Sequence, residues 1–152
     1  MAESKEDNPL DQIAWMVGDW IGERKAADGI PETIEVTFEW ASHKKIIYYK
    51  IVRKPGDGAV ASTEGMCGWH PGKKQFVLWE FDQEGNLYES VMVVHGNGQS
   101  LQEMLYQVNG ATTPVRAEVV RENENRFSFK ASVPKNGAWP EVFQVTYNRA
   151  NR

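Results

Sequence analysis

Five carboxylates, Glu64, Glu80, Asp82, Glu89 and Glu103, fall on successive segments in the middle of the chain. Two carboxyl groups turned into one apolar space could divide the work of general acid and general base, because burial and mutual repulsion separate their pKa values. The local alternation argues for a different arrangement. Trp79 and Phe81 are the apolar pair of their segment, so they are expected to face inward and leave Glu80 and Asp82 outside. Exposed carboxylates would then pair with Lys and Arg across neighbouring strands. No catalytic residue is assigned on this reading.

The remaining reactive side chains give no stronger constellation. His43, His70 and His95 lie well apart in expected turns, with no His-x-His or His-x-x-x-His pair, so no metal is expected. Cys67 is the single cysteine, which excludes an intrachain disulfide and a thiolate cluster. It lacks a neighbouring cation in sequence and reads as a small buried apolar side chain. Ser62, Ser90 and Ser100 have no nucleophile-elbow context. The glycines of His95-Gly-Asn-Gly98 read as a hairpin turn, since no helix comes after them to hold a phosphate. No cofactor is expected.

The positioning framework is an all-β one. Asn8-Pro9 starts a helix, with Asn as cap and Pro in the first helical position. Leu10, Ile13, Ala14 and Val17 give it one apolar stripe about two turns long. Gly18 ends it. Such a short helix is not stable alone and is expected to lie as a plug across one end of the strand assembly.

From Trp20 onward nine turn signals recur. They are Ala27-Asp28-Gly29, Ser42-His43, Pro55-Gly56-Asp57-Gly58, His70-Pro71-Gly72, Glu84-Gly85-Asn86, Gly96-Asn97-Gly98, Asn109-Gly110, Asn123-Glu124-Asn125 and Pro134-Lys135-Asn136-Gly137. They bound about ten strands, spaced more widely than is usual in sandwiches. The expected fold is an up-and-down antiparallel β-barrel, whose closure removes exposed edges. Residues 1–8 are expected to be a flexible N-terminus and residues 9–152 a single barrel domain.

Alternation names a lining. Ile34, Val36, Phe38 and Trp40 form one face of the second strand, and Phe143, Val145, Tyr147 and Arg149 one face of the last. Arg149 is then expected to reach the closed end and lie over the indole of Trp20. The candidate ligand-binding residues are Trp40, Tyr49, Met66 (or Cys67), Trp79, Met92, Met104, Phe129 and Phe143, with Tyr49, Tyr106 and Arg24 to orient the ligand. Aromatic and Met-rich walls suit a small apolar or planar molecule.

Ile46-Ile47-Tyr48-Tyr49 and Val91-Met92-Val93-Val94 are apolar on both faces, which points to a homodimer. A net charge of −4 removes the usual electrostatic footprint of a nucleic-acid binder. No apolar run reaches the roughly 18 residues of a membrane span, and the polar, acidic N-terminus makes a cytoplasmic location the expectation. Binding of a small molecule is the favoured function. A hydrolase or isomerase using the barrel cavity, and a structural or interaction subunit with a packed interior, are the alternatives.

Three separated motifs carry a resemblance. Leu10 with Trp15-Met-Val-Gly-Asp-Trp20, then Gly68-Trp-His-Pro71, then Trp79-Glu-Phe-Asp82 followed by Gly85, resemble a family of uncharacterised bacterial lipocalin-like domains. Members also end in Thr-Tyr-x-Arg, here Thr146-Tyr-Asn-Arg149, so the resemblance covers nearly the whole chain. It implies a calycin-type barrel and no settled activity. His70 departs from it, standing where the family more often has Asp. Nitrobindin-like haem barrels open similarly, but their C-terminal haem-ligand His has no counterpart here, His95 being the last.

Overall fold

The computed structural model describes residues 7–25, 29–56 and 58–150. Residues 1–6 of the tail, Ala27 and Asp28 of the first expected turn, and Asp57 of the third lie outside the described residues. Ten strands come after one helix: β1 (Gly18–Lys25), β2 (Pro31–Trp40), β3 (Ile46–Pro55), β4 (Ala61–His70), β5 (Gln75–Asp82), β6 (Leu87–His95), β7 (Gly98–Tyr106), β8 (Thr112–Asn123), β9 (Arg126–Ser132) and β10 (Glu141–Arg149). Each strand pairs antiparallel with the next, and β1 pairs with β10 to close the barrel. The turn chemistry is therefore sufficient to read the meander, because every reversal uses residues suited to tight turns.

The helix, Pro9–Met16, differs from expectation in kind: it is a 3₁₀ helix, not an α-helix. Its buried residues are Leu10, Ile13 and Met16, three apart, where the sequence periodicity offers Leu10, Ile13, Ala14 and Val17. Residues three apart eclipse one another in a 3₁₀ helix, so this winding puts all three on the barrel. Asn8 caps it by accepting from the Leu10 N–H, and its side-chain amide donates to the Lys44 carbonyl in the β2–β3 turn. Among the described residues no helix is long and apolar enough to cross a membrane.

Trp20, with no exposed surface, anchors the helix-covered end. Its indole N–H donates to the Met16 carbonyl at 2.8 Å, and its ring meets Phe127 edge-on with centroids 4.7 Å apart. Arg149, its cross-strand partner, lies over the indole at 4.2 Å. The guanidinium donates to the carbonyls of Trp15, Val17 and Glu124. These are backbone acceptors at the helix terminus and the β8–β9 turn, which the barrel ladder cannot satisfy. Gly18 makes room for this arrangement. Its φ is +130°, and a Cβ there would stand 2.6 Å from an Arg149 nitrogen.

Candidate functional site

Inside the barrel lies a cavity of about 360 Å³. Ile13 and Met16 of the helix close its floor, and Leu78, Met92, Leu101, Val119, Phe127 and Phe129 are among its apolar walls. The polar wall is built from three strands. Tyr49 on β3 donates its hydroxyl proton to Oε1 of Glu80 on β5 at 2.9 Å, passing over β4 between them. It can do so because β4 carries Gly65 at the crossing. A Cβ there would stand 2.5 Å from the Tyr49 ring and 2.8 Å from the Trp79 carbonyl oxygen. Glycine inside a strand often marks such a close approach.

Glu103 on β7 completes the wall, accepting from the Ser90 hydroxyl at 2.9 Å. Burial raises the Glu80 pKa to about 7, the nearby Glu103 charge adds to this, and the Tyr49 hydrogen bond opposes it. Glu103 is also raised by burial, with the Ser90 bond opposing. Tyr49 is pushed well up, first by burial and then by the Glu80 charge. Two carboxyl groups raised by burial and sharing one apolar cavity form the kind of pair that can hold or move one proton, with Glu80 near neutrality. Among the described residues neither forms an ion pair.

The mouth has a second charged feature. Glu32, buried on β2, accepts from Arg24 at 3.3 Å and from Arg53 at 2.9 Å, and both guanidinium groups lie over the Phe143 ring. Asp82 lies at the end of β5 but serves the turn. It loses some hydration, yet the bonds it accepts from Asn86 and from the Glu84 and Gly85 N–H groups hold its pKa below the usual value.

The expected lining is corrected at several positions. On β5 the inward residues are Phe76, Leu78, Glu80 and Asp82, whereas Trp79 and Phe81 are about half exposed on the outer surface. Met66, Met104 and Tyr106 also lie on the outer faces of their strands, alternating with inward Cys67, Glu103 and Leu105. The physical reason is register: residues paired across a barrel share a face, and Ile47, Cys67 and Leu78 are consecutive partners facing the interior. Once Leu78 is inward, Glu80 must be, whatever the hydropathy of Trp79. Glu64 and Glu89 point outward as expected.

Tyr49, Met92, Phe129 and Phe143 line the cavity together. Arg24 sits above them on Phe143, and Trp40 packs against the core at the helix-covered end without reaching the cavity. Cys67 is buried in the wall, its thiol pushed up to about 12 by burial alone, which makes it inert. Among the described residues no group of three or more His, Cys, Asp or Glu is arranged to hold a metal ion. The outer faces of β3 to β6 leave Tyr48, Met66, Trp79, Phe81 and Val93 exposed.

No family model matches the chain. No curated protein matches it either. Among solved structures, the crystal structure of Rv2717c from M. tuberculosis is similar, with a TM-score of 0.66 and 15% identity over 93% of this chain and 97% of that one. A redesigned β-barrel is similar at a TM-score of 0.51 and 10% identity, over 96% of this chain and 100% of the design. At these identities the likeness is one of fold alone.

Proposed function

We propose that this protein binds a small molecule inside the barrel, with an apolar body among Leu78, Leu101 and Phe129 and a polar head at the Tyr49–Glu80–Glu103 wall. One observation carries the reading: a 360 Å³ space, within the range of small-molecule sites, bounded by apolar walls and a few converging polar groups. A barrel serving only as a structural subunit would gain stability by filling that space, since interior voids cost packing energy. We also place the chain among lipocalin-like barrels, on its closed meander and its Trp20–Arg149 closure.

The neutral dye N-phenyl-1-naphthylamine tests this reading. Its fluorescence should rise and saturate at one dye per chain. Trp79→Ser, which alters only the outer surface, should leave that unchanged. Ala131→Trp, which fills the cavity, should abolish it while the protein still melts cooperatively. Binding that disappears with Trp79→Ser, or no saturable binding by the unaltered protein, overturns the proposal.

A second reading rests on Glu80, whose pKa near 7 suits a general base of isomerase or hydrolase chemistry. It predicts that the protein speeds solvent deuterium uptake beside the carbonyl of 2-tetralone and that Glu80→Gln does not. Equal rates with and without protein remove it. The outer apolar strip is where we place the homodimer contact. Lys50 and Glu64 lie side by side at its edge, charges that a two-fold axis could set against each other. Sedimentation showing only a 17.3 kDa species excludes that contact.

A further inference from the structure

Among the described residues, two buried side-chain atoms lack a hydrogen-bond partner: Nε of Arg121 and Oε1 of Gln99. Arg121 is stacked over Trp15 at 5.0 Å. Gln99 is different, because its side chain lines the cavity while only 2% exposed, and a half-turn of its amide brings the sealed oxygen to the cavity side. A buried amide oxygen with nothing to accept is costly, and buried polar groups in folded proteins almost always find partners. Its cross-strand neighbours Val94 and Val119 offer no side-chain donor.

Gln99 stands near the start of β7, at the helix-covered end, and Glu103 stands four residues nearer the mouth on the same inward face. Four residues of strand span about 13 Å. Leu101 lies between them, with Met92, Val119 and Phe129 also lining this space. The site therefore has two polar stations separated by an apolar stretch. At the upper station the acidic groups are in surplus: Arg24 and Arg53 are both engaged by Glu32, and among the described residues Glu80 and Glu103 have no cation of their own.

We propose that the bound molecule is two-ended: a hydrogen-bond donor reaches Gln99 at the cavity floor, an apolar body crosses Leu101, and a basic head meets Glu80 and Glu103. This deepens the binding reading and rests on it. The head should bind more tightly as pH rises through neutrality, because the cation favours ionised carboxylates. The groups facing that wall are Tyr49 from β3, Cys67 from β4, Asp82 beyond Glu80 on β5, Tyr88 from β6, Tyr147 from β10, held neutral by burial, and Arg53 at the mouth. Of these only Asp82 and Arg53 carry charge at neutral pH. Both are already engaged, Asp82 by its turn and Arg53 by Glu32.

Displacement of N-phenyl-1-naphthylamine by three probes of one shape tests the proposal. Serotonin has a donor at one end and an amine at the other, tryptamine lacks the hydroxyl, and tryptophol lacks the amine. Serotonin should displace the dye at a concentration about fivefold lower than tryptamine, the worth of one hydrogen bond. Tryptophol should be weaker than tryptamine and insensitive to pH between 6 and 8. Gln99→Leu should erase the difference between serotonin and tryptamine and raise the melting temperature, since it removes an unpartnered buried oxygen.

A structural role for Gln99 would instead lower the melting temperature on substitution, and that result overturns the proposal. Equal displacement by serotonin and tryptamine, or none by serotonin, overturns it as well. If the dye itself fails to bind, the broader binding reading is what has failed.

Discussion

The two ends of this barrel treat buried polarity in opposite ways. At the helix-covered end Arg149 is sandwiched against Trp20, and its donors are spent on the carbonyls of Trp15, Val17 and Glu124. That guanidinium serves the closure itself, and among the described residues the unpartnered polar atom of the cavity floor is Oε1 of Gln99. Toward the mouth, Glu80 and Glu103 lie inside the wall with the neutral Tyr49 and Ser90 as their hydrogen-bond partners among the described residues, and burial raises both pKa values. The first arrangement stabilises the fold. The second costs stability at neutral pH, which is the usual condition of a site that must recognise something else.

The largest expected effect comes from the closed end. Trp20→Ala should cost about 3–5 kcal/mol in chemical denaturation, because a fully buried indole and its bond to Met16 are lost. A cost below about 1 kcal/mol would mean that Trp20 is not the anchor.

At the other end the sign should reverse. The folded pKa of Glu80 is raised above its unfolded value, so the native state binds the proton more tightly than the unfolded one. Stability from this group is fully present below the unfolded pKa of 4.5 and falls as pH rises through about 7. Glu80→Gln keeps an acceptor for Tyr49 and removes the charge. It should stabilise the protein by roughly 2–3 kcal/mol at pH 8 and change little at pH 4. Destabilisation at pH 8 would show that the carboxylate is not held in a raised state.

Gly65→Ala should cost about 1–3 kcal/mol, since its Cβ would strike the Tyr49 ring and the Trp79 carbonyl. Much of that cost should vanish in a Tyr49→Leu background, where the ring is gone. A double-mutant cycle with no coupling would separate Gly65 from the Tyr49–Glu80 bond.

Trp79→Ser should have the smallest effect, within about 0.5 kcal/mol, because the indole is 54% exposed. A loss comparable to that of Trp20→Ala would return Trp79 to the interior.

The contrast between the two ends also marks what the sequence could and could not say. The turns were legible because Gly, Asn, Asp and Pro favour chain reversal through local conformation, and all ten strands lie between them. The Trp20–Arg149 contact was legible because β10 alternates cleanly from Phe143 to Arg149 across the face that forms the wall. On β5 alternation separates two sets of residues without saying which set is inside. Hydropathy chose Trp79 and Phe81, and the register of Ile47, Cys67 and Leu78 chose the other set.

Gly65 was the available signal. A glycine within a strand pattern hints that something crosses close by, and here it is the tyrosine on its way to Glu80. Gln99 could not be read from sequence, because its orphaned oxygen is a property of the assembled cavity. The 3₁₀ winding of the helix likewise shows only in the folded chain, where it puts Leu10, Ile13 and Met16 on the barrel.

The most direct test of an interior ligand site is a crystal structure of the protein soaked with N-phenyl-1-naphthylamine. The account predicts density inside the barrel between Leu101 and Phe129, with the amine directed at the Glu80–Glu103 wall. Dye bound only on the outer strip at Trp79 and Phe81, or side chains closing the interior to leave no space of roughly 300 Å³, would contradict it.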